Sequence, residues 1–285
     1  MEIRRLLSNI YKEIYKRFSG YGLGNFYPFK ILNNYIISRL KSRFAIIDNH
    51  KMFLDSKDSL NLSIYGCHEP FDTELVKKEI KEGDVVLDLG ANIGYYTLIF
   101  AKLVGPEGRV IAFEPEPDNF SLLEKNVKIN GYNNVVLVKK AASDKAGKLK
   151  LYLSESNKGD HRIYNSHDGR NFIKIDAVRL DDYFKNHKRP IDFIKIDTQG
   201  AEARIIAGAR RMLQNNKNIK ILTEFWPVGL QRSGANPKAY LNLLLKLGFN
   251  LHHIKSKVEP VSIAKLIEIY TPERGNKTDL FCTRY

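Results

Sequence analysis

Three charged side chains stand where they could move a proton. Lys195 and Asp197 are two apart at the end of an apolar run, Phe193–Ile196, that reads as a strand, so they share a face. Asp197 closes that strand, and Glu224 closes the next one, Ile219–Thr223. Two carboxylates on adjacent strand tips could hold Mg²⁺, or one could take the proton of a hydroxyl as general base. His161, in Asn157-Lys158-Gly159-Asp160-His161-Arg162, is a third candidate base. Plainer roles suit the same residues: Asp197 could cap a helix starting near Ala201, and Glu224 could cap a helix or lie in solvent. No group of side chains has transition-metal ligand spacing.

A second constellation lies upstream, in Val85-Val86-Leu87-Asp88-Leu89-Gly90-Ala91-Asn92-Ile93-Gly94. Strand, tight glycine turn and helix follow one another. Gly90 is placed where the backbone turns, and Gly94 where a helix packs closely. Asp88, at the strand tip, could accept from a hydroxyl or an ammonium group. The next strand ends in Glu114, about 24 residues beyond Gly90, a spacing at which one carboxylate can accept both hydroxyls of a ribose. A dinucleotide site would need a glycine where this chain has Asn92, and no Walker loop is present. An adenosyl ligand with a carboxylate–ammonium tail fits the pattern better than a pyrophosphate.

The elements that must hold these residues alternate. Strands at 85–89, 110–113, 135–138, 193–196 and 219–223 are interleaved with helices at 95–103, 118–129, 201–214 and, after a break at Trp226-Pro227, 237–247. That alternation predicts right-handed βαβ units and a parallel sheet. A helix opening at Asp72 or Thr73 and running to Glu82 precedes them. A strand at 249–254, a helix near 261–269 and a strand at 280–284 follow. Between about 143 and 190 the alternation is interrupted by strands at 148–153 and 172–178 around a polar loop, an insertion where acceptor contacts are expected. Ahead of the alternating region, Phe44–Ile47 and Met52–Leu54 flank Asn49-His50 and suggest a hairpin. Residues 1–43 read as a separate helical segment: Ile3, Leu7, Ile10, Ile14 and Phe18 would make an apolar stripe opposite Arg4, Arg5, Lys12, Lys16 and Arg17, and a shorter helix is expected at 28–41. The stripe needs a partner, either protein (this chain or a second subunit) or an anionic membrane.

Composition bounds the rest. The chain of 285 residues is 43% hydrophobic and carries 46 Lys and Arg against 32 Asp and Glu, a formal net charge of +14. A positive balance favours acidic partners. Two cysteines without a CxxC pair, no secretory signal and no spanning segment of about 20 apolar residues point to a cytoplasmic protein, soluble or membrane-peripheral.

Three segments together resemble the FkbM-type methyltransferases: Asp88-Leu89-Gly90-Ala91-Asn92-Ile93-Gly94, Phe113-Glu114-Pro115, and Phe193-Ile194-Lys195-Ile196-Asp197-Thr198-Gln199-Gly200-Ala201-Glu202. Val178-Arg179-Leu180-Asp181-Asp182-Tyr183 is similar too, and the resemblance spans roughly residues 44–226. Gln199 stands where that family most often has Glu. The resemblance implies a Rossmann-like methyltransferase fold, with a mostly parallel seven-stranded sheet whose last strand is antiparallel. It implies O-methylation of a sugar, glycan or related hydroxyl with S-adenosylmethionine as donor. By position, Asp88, Gly90, Asn92 and Gly94 would line the methionine part of the cofactor, and Glu114, followed by Pro115, would hold the ribose. Ala142 and Ser143 would flank the adenine, and Glu69 would lie near the site. A ribose 2′-O-methyltransferase of RNA, which Lys195, Asp197 and Glu224 partly mimic, is the alternative enzyme, although the positive charge is scattered and no RNA-binding module is evident. A non-catalytic cofactor-binding protein docked at membranes through residues 1–19 is the third reading.

Overall fold

In the computed structural model, which describes residues 41–284, the turn residues Asp48 and Asn49 both take positive φ, 48° and 67°. That is the primed turn whose twist matches paired strands. It joins β1 (Phe44–Ile47) to β2 (His50–Phe53) with Phe44 opposite Phe53. The turn sits one residue earlier than the sequence suggests, because Asp and Asn tolerate the left-handed region and His50 is kept for pairing. With α1 (Leu62–Tyr65) these strands belong to a compact unit ending at His68; residues from Glu69 onward form another. The helices expected at 1–19 and 28–41 lie outside the described residues, apart from the terminal Lys41. Cys67 and Cys282 form no disulfide.

The second unit begins with α2 (Pro70–Glu79), a turn earlier than expected because Pro70 takes the first helical position. The alternating series follows as β3 (Val85–Leu89), α3 (Tyr95–Val104), β4 (Arg109–Phe113), α4 (Pro117–Ile129) and β5 (Val135–Val138). The insertion supplies β6 (Ala141–Ser143), β7 (Gly147–Tyr152), β8 (Phe172–Arg179) and the short α5 (Leu180–Tyr183). The series resumes with β9 (Phe193–Ile196), α6 (Glu202–Gly208), α7 (Arg210–Asn215), β10 (Lys220–Phe225), α8 (Pro227–Arg232), α9 (Pro237–Lys246) and β11 (Asn250–Ile254). It closes with β12 (Val258–Pro260), α10 (Ile263–Ile269) and β13 (Thr278–Thr283).

Eight of these strands form one sheet, in the order β12-β11-β13-β10-β9-β3-β4-β5. The run from β10 to β5 is parallel throughout, and β3, its central strand, is buried along its whole length. Strands covered on both faces read as continuous apolar runs, which is why these were visible in the sequence. The last strand, β13, enters antiparallel between β10 and β11, with Glu224 opposite Asp279. This is the Rossmann-like methyltransferase arrangement with one addition, the three-residue edge strand β12, which runs antiparallel to β11. The insertion makes a separate three-stranded sheet, β6-β8-β7, around Ala141, Leu151, Ile175 and Ala177.

Two local departures have simple causes. The single helix expected at 201–214 is α6 and α7, meeting at Ala209. Gly208 lets α6 rest on β6, where a Cβ would come within 2.1 Å of the Ser143 carbonyl oxygen. Pro227 opens α8 rather than only breaking the chain. The strand order reverses between β3 and β9, and the crevice beyond the carboxyl ends of two such strands is where open α/β sheets bind ligands.

Candidate active site

Gly90 and Asp197 follow β3 and β9 into that crevice. Gly90 has φ +86°, and a Cβ there would lie 2.1 Å from the Asp197 carbonyl oxygen, so the two strand ends touch through backbone alone. The N–H groups of Gly90 and Ala91 both donate to the Phe113 carbonyl at 3.0 Å, tying the loop to β4. Asn92 is also left-handed, with φ 51°. Its backbone N–H donates to Glu114 Oε2 at 2.8 Å, while Glu116 N–H donates to Glu114 Oε1 at 2.8 Å. Glu114 is thus fixed by two bonds, and a carboxylate with about four acceptor sites keeps two for a diol. Burial pushes its pKa up to about 8.

A cavity opens at this point. Gly90, Asn92, Glu114, Pro115, Ala142 and Asp197 line it, and His161 closes one side. The other anticipated cofactor residues do not reach it. Asp88 is fully enclosed, and its Oδ2 accepts from Thr97 Oγ1 on α3 at 2.5 Å. Gly94 instead caps α3, where a Cβ would strike Leu123 of α4 at 2.7 Å. Ser143 donates its hydroxyl to Asp144 at 3.0 Å and is buried.

On the other side of Asp197 lies an acidic cluster. Lys195, beneath it, pairs with Asp197 Oδ2 at 3.2 Å and lies 4.4 Å from the centre of the Tyr96 ring. Burial works to lower the Lys195 pKa, but Asp197, Glu69, Asp88 and Asp279 outweigh it and raise the value, so the ammonium stays charged. Glu69 accepts the Tyr96 hydroxyl at 3.0 Å. Glu69, Asp72 and Asp279 bring carboxylate oxygens within 4.8 Å of one another. Burial first, then Glu69, raises the Asp72 pKa to about 7, and burial with Asp72 raises that of Asp279 as well. Glu224 is 4% exposed and ion-paired with Lys277; burial, then Asp197, lifts its pKa to about 8. It is therefore neither solvated nor a helix cap.

Asp197 is 25% exposed and belongs to both regions. Its Oδ1 accepts from Gln199 Nε2 at 2.8 Å, a donation that a glutamate at 199 could not make. The turn behind it is held by Glu202, whose Oε1 accepts from Thr198 N at 3.2 Å and Gly200 N at 3.0 Å. The N-cap of α6 is Ala201, and no side chain, that of Asp197 included, makes the capping bond. Asp197 and Glu224 each pair with a lysine, Lys195 and Lys277. His161 does not fit the role of base. Its Nδ1 accepts the Ser154 N–H at 3.0 Å, which puts the ring proton on Nε2, and burial with Lys158 lowers its pKa to about 4. Trp226 lies beneath the Arg162 guanidinium at 4.9 Å.

Sequence reasoning missed Asp72, Asp279, Lys277 and Glu202. Only Glu202 carried a signal, since it ends the third resembling segment.

The methyltransferase FkbM domain matches residues 88–251. The chain belongs to the FkbM methyltransferase family. It is 28% identical to the 2-O-methyltransferase NoeI of Sinorhizobium fredii over 202 residues, covering 63% of this chain and 80% of that protein. It is 28% identical to the hexuronic acid methyltransferase AglP of Haloferax volcanii over 143 residues, 50% of this chain and 56% of that one. The crystal structure of an FkbM methyltransferase from Methylobacillus flagellatus aligns with TM-score 0.44 at 16% identity, covering 79% of this chain and 52% of that one. Of the curated relatives that it matches first, protein-L-isoaspartate O-methyltransferases among them, the chain spans between 28% and 59% of the length.

Proposed function

We propose that this chain transfers a methyl group from S-adenosylmethionine to a hydroxyl of a sugar or glycan, with Asp197 taking the hydroxyl proton. The observation that carries the reading is the position of Asp197, which lines the nucleotide cavity on one side and joins the Lys195 cluster on the other. S-adenosylmethionine supplies a methyl group already activated on a sulfonium, so alignment of the acceptor carries much of the rate. Glu114 would accept the ribose hydroxyls with its two remaining acceptor sites, and Gly90 and Asn92 would leave room beside it. Asp197, fixed by Lys195 and Gln199, would orient the acceptor hydroxyl and receive its proton as the new C–O bond forms and the S–CH₃ bond breaks.

The name of AglP supports a sugar acid as one acceptor to test, and that of NoeI supports a 2-hydroxyl. RNA is the lesser alternative as acceptor, because the positive charge is scattered along the chain rather than gathered in a recognisable RNA-binding module. Residues 1–43 are proposed as a separate helical element for docking on protein, on a second subunit or on anionic membrane. Among the described residues no helix is long and apolar enough to cross a membrane.

The test is methyl transfer from tritiated S-adenosylmethionine to a panel of neutral sugars, hexuronic acids and RNA. Label in a sugar fraction, lost in Asp197→Asn, supports the reading; label in RNA alone would replace it with the ribose alternative.

A further inference from the structure

The loop between β7 and β8 was expected to serve the acceptor, yet it carries His161 to the nucleotide cavity. There the ring shares the lining with Leu151, Ala142 and Ile163. The loop is held in place from two sides. The Lys158 carbonyl accepts from Asn92 Nδ2 at 3.3 Å and from Asn119 Nδ2 at 2.9 Å. Asp160 binds Arg162 at 2.8 Å and Arg170 at 2.7 Å. Within this frame the imidazole has one tautomer. Ser154 N–H occupies Nδ1, so Nε2 is the protonated nitrogen, and Nε2 is buried without a hydrogen-bond partner. Native proteins rarely leave a buried donor unmatched, and such a group calls for an explanation. The ring edge that is not tied to Ser154 belongs to a side chain lining the cavity, so the missing acceptor is to be sought on what fills it.

We infer that His161 donates an Nε2–H hydrogen bond to an acceptor atom of the adenosine moiety, so that the β7–β8 loop is part of the cofactor site. This rests on the reading of the cavity as the S-adenosylmethionine site. The apolar neighbours Leu151, Ala142 and Ile163 suit a purine face, and a donor at the purine edge adds selection for the base. Its depressed pKa, about 4, keeps the imidazole neutral and the tautomer unchanged across the physiological range.

Calorimetry separates this from the alternatives, using S-adenosylhomocysteine and 5′-methylthioadenosine as probes on the full chain. His161→Asn can still offer an oxygen to the Ser154 N–H but falls short of the cavity. His161→Gln can place an amide N–H near the Nε2 position. Asn should weaken both ligands about 10-fold, the scale of a donor lost from a buried pair, and Gln should restore most of the affinity. In the unmodified protein, ¹⁵N-histidine spectra should show the Nε2–H tautomer at His161 and a shift of that proton on adding either ligand. Unchanged affinity in Asn together with an unmoved Nε2–H resonance would overturn the inference. So would a loss of turnover at unchanged affinity, which would make His161 a base. A loss confined to S-adenosylhomocysteine would place the contact on the amino-acid tail instead and overturn it too. If the unmodified protein binds neither probe, the cofactor reading itself fails, which is a different outcome from wild-type binding with an indifferent Asn variant.

Discussion

Asp197 and Glu114 are the two carboxylates on which the proposed chemistry depends, and their environments differ. Asp197 is anchored by Lys195 at 3.2 Å and Gln199 at 2.8 Å. Asp197→Asn keeps the volume and removes the proton acceptor; turnover should fall about 10²–10⁴-fold, with cofactor affinity changed far less. Steady-state rates beside calorimetry on the same variant check both halves. Glu114 has its pKa raised to about 8 by burial, so its free form is largely protonated at pH 7. A carboxylate accepting two ribose hydroxyls must be ionised, so binding should release a proton at pH 7, and affinity should rise as pH increases through about 8. Glu114→Gln should bind about 10-fold more weakly and lose that slope; affinities from pH 6.5 to 9 decide it. Lys195 and Asp197 were legible together because strand residues two apart share a face. Asp72 and Asp279 were not, because Asp279 reaches the site only through the register of β13 against β10. Nor does sequence reveal which nitrogen of His161 bears the proton, since the Ser154 N–H decides that.

At the scale of elements, the site exists because β3 and β9 end side by side and their loops leave in opposite directions. Gly90→Ala tests that contact. The new Cβ would meet the Asp197 carbonyl at 2.1 Å on a backbone with φ +86°. A left-handed alanine costs about 1–2 kcal/mol, and the clash adds to it, so a loss of about 2–4 kcal/mol is expected. That corresponds to a fall in Tm of roughly 5–15 °C. Gly131→Ala, with φ +71° and nothing within 4 Å, should cost only the backbone share. Thermal unfolding of the two variants makes the comparison. The parallel strands were legible from their apolar runs and the α/β alternation. The split between α6 and α7 was not, because it follows from the approach of Gly208 to the Ser143 carbonyl, far away in sequence. The extra edge strand β12 is short and exposed, and leaves no apolar pattern to read.

The whole molecule combines a net charge of +14 with a carboxylate-rich cluster at its candidate active site. The two are compatible if the positive surface serves attachment and the cluster's charge is offset from within by Lys195 and Lys277. Because Lys195 and Lys277 pair with Asp197 and Glu224, turnover should survive EDTA; a rate abolished by EDTA and restored by Mg²⁺ would mean that carboxylates of this cluster, Glu69, Asp72 and Asp279 among them, hold a metal. If residues 1–19 dock at lipid, the full chain should pellet with anionic vesicles at low salt and be released at high salt, as screening weakens the attraction. The most direct test of the central claim is one assay with two proteins. Unmodified chain and Asp197→Asn are incubated with tritiated S-adenosylmethionine and a sugar acceptor panel, and label is followed into each fraction. The account predicts a methyl ether on a sugar hydroxyl with the unmodified chain, and about 10²–10⁴-fold less with Asp197→Asn despite S-adenosylhomocysteine affinity within a few-fold of normal. Equal labelling by the two proteins would contradict it.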